Sequence, residues 1–252
     1  MDRVIYTALT GLTARQRAQA VTANNLANVE TLGFRREIVA AEGRYLRGPA
    51  EIGAGHIARA QTGSPSLATP RESGRTQSTG RALDVALQGD AWLTIAAPPV
   101  NGDPREAYTR RGDLQVSPSG QLVLGDGHVP LDVNGSPVQV PPNGTLKVGD
   151  DGTLSVLLDG IDTPLTRLKL VAGGSRETGF DKGPDGQFTT DDPLPQDPAA
   201  RLTAGVLEAS NVSAAQSLVE LVEQSRAFDA SARLMRTASE LDEAGTRLLR
   251  LE

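Results

Sequence analysis

The chain of 252 residues contains no cysteine, and aromatic residues make up only 3% of it. Without cysteine it can form neither disulfides nor thiolate zinc sites, and a cysteine nucleophile is excluded as well. The aromatic residues are one Trp, three Tyr and four Phe. So small a set argues against a large aromatic ligand pocket.

Positive charge and long apolar runs are also scarce. The 25 basic residues are outnumbered by 31 acidic residues, and the net charge is -6. This balance disfavours nucleic-acid binding, which needs a basic surface. No stretch approaches the roughly 18 apolar residues of a membrane-spanning helix. The first residues lack a basic segment followed by an unbroken apolar one, so we expect no membrane insertion and no cleaved signal peptide.

Patterns typical of catalytic and metal sites are missing, including the phosphate loop, the dinucleotide fingerprint and the serine-hydrolase motif. No metal-ligand spacing surrounds His56 or His128. Residues 181–192 faintly resemble a calcium loop, but their Gly and Pro favour an ordinary Asp/Gly turn. Asp84 and Asp113 could pair as acids across a β-face, although aspartate is ordinary in strand and turn contexts. We therefore predict no catalytic residue, no metal site and no cofactor.

The first 33 residues carry the pattern of an amphipathic helix. Apolar or small residues recur at steps of three and four, with Gln16 and Gln19 as polar members of the same stripe, which is typical of a coiled-coil seam. Gly33 after Thr31 indicates where the chain stops being helical. The apolar members of the stripe are Ile5, Leu9, Leu12, Ala23 and Leu26.

Residues 209–252 predict a second, longer helix, with Ser213 as its N-cap. Such a run of about 38 residues is about 57 Å long, more than one globular body can cover. The two terminal helices could simply pack together within one monomer, but this length favours contacts with further helices. The predicted seam is Leu218, Leu221, Ser225, Phe228, Ala232 and Met235, followed by Leu234, Leu241 and Leu248 at intervals of seven.

The middle of the chain indicates β-structure. Residues 79–197 contain short alternating runs such as 83–87, 114–124 and 145–157, separated by turn dipeptides such as Asn134-Gly135. Residues 34–78 and 198–208 lack clear periodicity and are predicted to be extended connectors, with at most one short strand pair in the first. The predicted fold class is an α+β composite, with the terminal helices paired as a coiled coil beside a mainly-β domain.

Four segments, in order and spanning nearly the whole chain, resemble those of the bacterial flagellar axial proteins, which build the rod and hook. They are 23–34 (ANNLANVETLGF), 79–90 (TGRALDVALQGD), 108–114 with 120–123 (YTRRGDL and GQLV), and 205–212 (GVLEASNV). Within this family the opening residues are most similar to proximal-rod members, and distal-rod members are the runner-up.

The resemblance implies a non-catalytic subunit of a helical polymer, exported unfolded through the flagellar type III channel to the periplasmic rod. Its implied partners are further copies of itself, other rod proteins and the export apparatus. Two rival classes remain. An enzyme would need a pocket of converging titratable groups, and a secreted fibre or adhesin component would share the layout but lack the four segments.

The predicted assembly interface combines the helical stripes with the asparagines that flank them. In such a polymer each copy would bury the stripe of its neighbour. The residues of this predicted interface are Ile5, Leu9, Leu12, Asn24, Asn25, Leu26, Asn28, Asn211, Val212, Leu218, Leu221, Phe228, Met235, Leu241 and Leu248.

Overall fold

The computed structural model describes residues 2–40, 43–47, 58–62, 66–70, 72–100, 103–142, 144–158, 160–173, 180–183 and 185–249. Two helices, α1 (Asp2–Ala27) and α2 (Ala214–Leu249), flank a region of strands. In chain order the strands are β1 Ile38–Ala40, β2 Gly43–Arg47, β3 Ala58–Thr62, β4 Ser66–Ala68, β5 Thr76–Ser78, β6 Val85–Leu87, β7 Ala91–Val100, β8 Asp103–Thr109, β9 Leu114–Val116, β10 Leu122–Leu124, β11 Thr145–Val148, β12 Thr153–Leu158, β13 Ile161–Arg167, β14 Leu170–Ala172, β15 Asp181–Lys182, β16 Phe188–Thr189, β17 Leu202–Ala204 and β18 Val206–Glu208.

The chain divides into two compact units. The helical unit comprises Met1–Asn28, Arg36–Pro70 and Val212–Glu252, and the β-unit comprises Val29–Arg35 and Arg71–Asn211. The three-part division proposed from the sequence stays a prediction. Within its connector segments the structure has β1 to β5, β17 and β18. The first segment forms two strand pairs of its own, β1 with β4 and β2 with β3, where one was predicted. These strands have at most five residues, too few for an alternating pattern to be recognised in a stretch rich in Gly, Ser and Thr.

The two helices of the helical unit lie antiparallel and in contact. Arg15 donates to the carbonyl of Ala227 at 2.6 Å, and the Gln224 amide donates to the Thr22 hydroxyl at 2.9 Å. Residue numbers therefore rise along α1 in the direction in which they fall along α2. The end of α1 lies beside the beginning of α2. The predicted pairing of terminal helices around a central β-region is confirmed.

The start of α2 is set by a local capping residue, whereas the end of α1 differs from the prediction. Gln216 and Ser217 donate backbone N–H groups to the side chain and carbonyl of Ser213, so the predicted N-cap of α2 is confirmed. At the other terminus α1 ends at Ala27, earlier than the predicted stop. The chain then passes through turns to Gly33, whose φ of 67° is left-handed as expected for a glycine after a helix.

The inner face of α2 follows the predicted seam only in part. Leu221, Phe228 and Met235 are half-buried at intervals of seven, as expected. Ser217 and Gln224 lie inside in place of the predicted Leu218 and Ser225, which are exposed. The predicted Ala232 is half-buried beside Ser231, whereas the predicted Leu234 is exposed. Ser217 and Gln224 are polar, so counting apolar residues could not select them.

The β-unit has an apolar core built from several small antiparallel sheets. Its largest sheet has the strand order β14-β7-β8-β16-β15, and a second has the order β11-β12-β13. The predicted hairpins are confirmed, since Leu122 pairs with Val116 and Leu146 pairs with Val156. The fully buried core side chains include Val85, Leu93, Ile95, Leu122, Leu154, Leu168, Leu170 and Leu202.

A smaller second core gathers half of the few aromatic residues. The ring centroids of Trp92 and Phe188 are 4.7 Å apart, and those of Tyr108 and Phe180 are 5.4 Å apart. The Tyr108 hydroxyl accepts a hydrogen bond from the Leu194 backbone at 2.8 Å. Burial beside these rings raises the pKa of Tyr108 above its usual value. The rings thus serve as packing on one side of the largest sheet.

Candidate assembly surface

The outer side of α2 carries aliphatic side chains that the chain itself does not cover. Val219 is 58% exposed, Leu218 and Val222 are about equally exposed at 51% and 50%, and Leu234 is 70% exposed. On α1, Leu9 is 48% exposed. Residues three and four apart in a helix share a side, so Leu218, Val219 and Val222 form one continuous strip.

The other apolar residues of the predicted interface are partly covered by the helix pair. They keep part of their surface open, so they could serve both the intrachain seam and a contact between copies. Their place in an intermolecular interface stays a prediction. Leu12, Leu26, Val212, Leu221, Phe228 and Met235 are half-buried, whereas the side chains of Ile5, Leu241 and Leu248 lie outside the described residues.

The asparagines at the end of α1 make contacts within the chain. Asn25 is buried, its amide donating to the carbonyl of Glu37 at 2.7 Å and accepting from the Glu37 N–H at 2.9 Å. The Asn28 amide donates to the carbonyl of the exposed Asn24 at 2.9 Å, which satisfies a carbonyl at the helix end. Their place in a contact between copies stays a prediction.

Asn211 holds together two segments of the β-unit. Its backbone N–H donates to the carbonyl of Phe34 at 3.2 Å, and its side-chain amide donates to the carbonyl of Glu72 at 2.9 Å. The residue therefore fixes the strand end that precedes α2 to the segment that follows α1. Its predicted role in assembly stays a prediction.

A polar cleft of about 230 Å³ lies within the helical unit, between α1, β1 and the start of α2. Its lining mixes charged and amide side chains, among them Arg36, Glu37, Glu220 and Gln224. Ligand pockets for small molecules are mostly apolar with a few polar groups, so the lining of this cleft differs from theirs.

A buried cluster of three charges lies in the β-unit. Both oxygens of Glu208 are engaged: Arg35 lies 2.9 Å from one and Arg110 lies 2.8 Å from the other. The exposed fractions of these side chains are only 1% to 3%. Burial lowers the pKa of Arg35 from its usual range to about 10, because desolvation outweighs the attraction of Glu208.

The guanidinium of Arg110 donates four hydrogen bonds. Besides Glu208, it donates to the carbonyls of Leu87 at 2.6 Å, Gly89 at 2.8 Å and Ala91 at 2.7 Å. It also lies 5.7 Å from the ring centre of Trp92, a cation–π distance. A buried charge of this kind is tolerated only when it is paired and hydrogen-bonded, and here a carboxylate and three carbonyls engage four of its five donors.

The charge cluster joins the two points at which the chain connects to its terminal helices. Arg35 follows α1 in the chain, and Glu208 is the last residue of β18 before α2. The backbone N–H of Gly33 also donates to the carbonyl of Glu208 at 2.8 Å. Sequence reasoning missed this cluster. Arg110 and Glu208 lie in the segments that carry the resemblance, but nothing local pairs them across the chain.

The carboxylates weighed as acids are engaged in ion pairs. Asp84 and Asp113 are the two partners of an isolated antiparallel β-bridge, each directly preceding a strand. Each is bound in a bidentate manner, Asp84 by Arg81 at 2.8 Å and Asp113 by Arg111 at 2.6 and 2.8 Å. Bidentate pairing of this kind neutralises both carboxylates and fixes their orientation.

The remaining metal and acid–base candidates that the structure describes make local contacts. Among the described residues, no group of three or more acidic or histidine side chains could hold a metal ion. His128 lies between Asp126 at 3.0 Å and Gln187 at 2.5 Å, while His56 lies outside the described residues. In the suspected calcium loop, Gly186 donates to the carbonyl of Gly183 at 3.0 Å, which makes a turn. None of the helices, over their described residues, is both long and apolar enough to cross a membrane.

Three stretches of the chain match known protein families. Residues 5–35 match the family described as flagella basal body rod protein, and residues 203–248 match the C-terminal part of the flagellar basal body rod FlgEFG proteins. Between them, residues 86–156 match the D1 domain of the flagellar hook protein FlgE/F/G group. The three matches fall on α1, on the β-unit and on α2.

Individual relatives align with almost the entire chain. The flagellar basal-body rod protein FlgF of Salmonella typhimurium is 34% identical over 259 aligned residues, covering 99% of both chains. FlgF of Escherichia coli is 36% identical over 241 aligned residues, covering 91% of both. FlgG of Bacillus subtilis is 29% identical over 273 aligned residues, covering 96% of this chain and 97% of its own.

The chain belongs to the flagellar basal-body rod protein family. It is a structural, non-enzymatic protein, and membership of this family implies assembly with other rod subunits. Within the family it is FlgF-like, of the proximal-rod type.

Proposed function

We propose that the chain polymerises through its terminal helices and transmits torque from motor to hook as a subunit of the proximal rod. The observation that carries the proposal is the strip of exposed aliphatic side chains on α2, at Leu218, Val219 and Val222. Exposure of this aliphatic strip to water costs free energy. Packing against a neighbouring copy removes the strip from solvent.

The helix pair itself supports the same proposal. Its inner positions include Thr22, Ser217, Gln224 and Ser231, so the intrachain seam buries little apolar surface. Long helices with one weak stripe are marginal alone and are stabilised mainly by packing. Neighbouring copies would supply that packing, and repetition of one contact between copies builds an open helical polymer.

We further propose that the chain leaves the cytoplasm unfolded through the flagellar type III export apparatus and keeps its N-terminus. Marginal terminal helices suit passage through a narrow channel and delay polymerisation until the chain is outside. In cells whose flagellar export is inactivated, the chain should accumulate in the cytoplasm. Mass spectrometry of the chain from purified rods should show an uncleaved N-terminus, and a truncated one would refute this route.

The assembly proposal is tested by placing a carboxylate on the helix stripe. Phe228→Asp or Leu12→Asp, expressed in a strain that lacks the gene, should abolish rod formation, because an unpaired buried charge costs several kcal/mol. The cost recurs at every copy of the polymer. Electron microscopy of basal bodies and a motility assay measure the outcome.

The matched control for this test is Phe228→Leu, which keeps the position apolar and should support rods. Trp92 fluorescence of the purified variants should remain that of the wild type, since the β-unit has its own core. If Phe228→Asp cells build normal rods, the terminal helices are not the polymerisation interface. If the deletion strain without any copy of the gene swims normally, the rod function itself is refuted.

A further inference from the structure

The last two strands of the β-unit, β17 and β18, lie far along the chain from the strands that they pair with. Leu202 of β17 is opposite Leu87 of β6, and Val206 of β18 is opposite Ser78 of β5. In the described part of the chain, β5 and β6 have no other strand partners. We call residues 200–211 the closing segment, because they complete two sheets whose other strands come much earlier.

The closing segment also supplies part of the apolar core. The side chain of Leu202 is fully buried and that of Ala200 is 5% exposed, and both belong to the core cluster that contains Val85, Leu93 and Leu122. Removal of the segment would return the apolar surface of β6 to water, which costs free energy. The core is therefore incomplete without the closing segment.

Glu208 of the closing segment brings the carboxylate that two buried arginines share. Arg35 and Arg110 lie 2.9 Å and 2.8 Å from its two oxygens, and neither arginine side chain is more than 3% exposed. An ion that is buried without its counter-charge is strongly destabilising. A β-unit that packed before Glu208 arrived would bury two like charges without the carboxylate between them.

Hydrogen bonds join the same segment to the beginning of the β-unit. Gly33 donates its N–H to the carbonyl of Glu208 at 2.8 Å, and Asn211 donates its N–H to the carbonyl of Phe34 at 3.2 Å. One carboxylate oxygen of Glu208 accepts from the N–H of Gly74 at 2.9 Å. Gly33 and Phe34 are buried, so their backbone groups need these partners in the folded state.

We propose that docking of the closing segment is obligatory for folding, so that the β-unit stays unfolded until residues 200–211 are present. A chain is synthesised from its N-terminus, so all strands from β5 to β16 exist before this segment does. During that time β5 and β6 lack their strand partners, and Arg35 and Arg110 lack the carboxylate of Glu208. The growing chain therefore cannot complete the β-unit early.

This requirement deepens the proposed function and rests on it for its use. Passage through a narrow export channel needs a chain that has not folded. A β-unit that folded during synthesis would block that route. A closing segment late in the chain keeps the β-unit open while the chain is being made, and thus available to the export apparatus.

Cutting the folded chain in front of the closing segment tests the requirement. A protease recognition sequence is inserted between the exposed residues Pro198 and Ala199, and the purified full-length protein is cleaved in its folded state. The two parts are separated in urea and returned to buffer, alone or together. Trp92, the only tryptophan, lies in the first part within the aromatic cluster, so its fluorescence reports on the β-unit.

The first part alone should lose the native Trp92 fluorescence and the cooperative urea transition, and an equimolar amount of the second part should restore both. The second part also contains α2, so the matched control is a second part that carries Leu202→Asp and Glu208→Gln. These changes alter only the closing segment. The control should restore neither signal, because it offers neither the core side chain nor the carboxylate.

The other outcomes overturn the inference. Native Trp92 fluorescence and a cooperative transition in the first part alone would show that the β-unit folds before the segment docks. Restoration by the altered second part would assign the effect to α2, and failure of the unaltered second part would show that docking is not what permits folding. These results concern purified protein and leave the rod function intact. Normal swimming of the deletion strain would refute the rod function without changing the outcome for the closing segment.

Discussion

Glu208 is a buried carboxylate held between two arginines from distant parts of the chain. Its partners Arg35 and Arg110 lie within 2.9 Å, and all three side chains are almost fully buried. Removing the one negative charge would leave two buried positive charges facing each other. Breaking a buried pair is costly for this reason, even where the intact pair adds little net stability.

The first prediction concerns Glu208→Gln in the full chain. It should lower the free energy of unfolding of the β-unit by about 3–5 kcal/mol, because both guanidinium groups lose their counter-charge. Urea denaturation monitored by Trp92 fluorescence measures this loss, because the Trp92 ring lies 5.7 Å from the guanidinium of Arg110 and so reports on the cluster. The control Glu30→Gln removes an exposed carboxylate and should change stability by less than about 0.5 kcal/mol. Equal effects of the two changes would refute the structural role of Glu208.

The second prediction concerns Gly33, where both conformation and space require glycine. Its φ is 67°, and a Cβ there would lie 2.4 Å from the backbone carbon of Arg110. Gly80 has a similar φ of 72°, but a Cβ there would meet nothing within 4 Å. Gly80→Ala should therefore cost only the strain of a left-handed residue, about 1–2 kcal/mol, and Gly33→Ala clearly more. Urea denaturation of both variants under the same conditions measures the two losses in the free energy of unfolding. Similar losses at both sites would contradict the steric argument.

At the scale of elements, short antiparallel pairs are ended by turns whose chemistry is local. The turn at Asn134-Gly135, predicted from that dipeptide, is confirmed by a φ of 75° at Gly135. Asp132 starts this turn, accepting from the N–H groups of Asn134 and Ser136 at 2.9 Å and from the Thr166 hydroxyl at 3.1 Å. Burial of Asp132 opposes ionisation, but these donors outweigh it and lower its pKa.

The third prediction follows from the sign of this shift. A carboxyl whose pKa is lowered on folding adds stability above its unfolded pKa of about 3.9, and that stability disappears as the pH falls through the folded value. Asp132→Ala should therefore cost about 1–3 kcal/mol at neutral pH and progressively less below about pH 4. Urea midpoints across this pH range measure it. The exposed Asp162→Ala should show no such pH dependence, and a constant gap for Asp132→Ala would refute the cause given for its pKa.

For the whole molecule, the two units differ in what holds them together. The β-unit packs fully buried aliphatic side chains and an aromatic cluster, whereas the helical unit joins its helices through Thr22, Gln224 and other polar residues. Local stability follows buried apolar contact. We therefore expect the terminal helices to gain their stability in the polymer.

The fourth prediction is that amide hydrogen exchange in a dilute monomer is faster in residues 1–30 and beyond about 212 than in β7. Leu9, Leu12, Leu221 and Phe228 need partners to bury their stripe, and a helix without partners opens readily. In assembled rods the same amides should become protected. Strong protection of both termini in the dilute monomer would show that the helix pair is stable without neighbours.

The sequence determined the class of this protein and most of its local structure. Helical periodicity and turn dipeptides act over a few residues, so they predicted both terminal helices and the hairpins, although α1 ends at Ala27 and not at the predicted stop near Gly33. The four ordered segments predicted the rod family, and the alignments with whole relatives confirm it. These features were readable because each depends on contacts between near neighbours in the chain.

The tertiary structure decided the contacts that join distant segments. The pairing of Arg35 and Arg110 with Glu208 depends on where the folded chain returns to itself, and no local pattern encodes that return. Two inner positions of α2, Ser217 and Gln224, were missed for the same reason, since the amide nitrogen of Gln224 finds its partner in Thr22 on the other helix. A polar residue becomes an inner residue when a partner satisfies it, and only the fold supplies that partner.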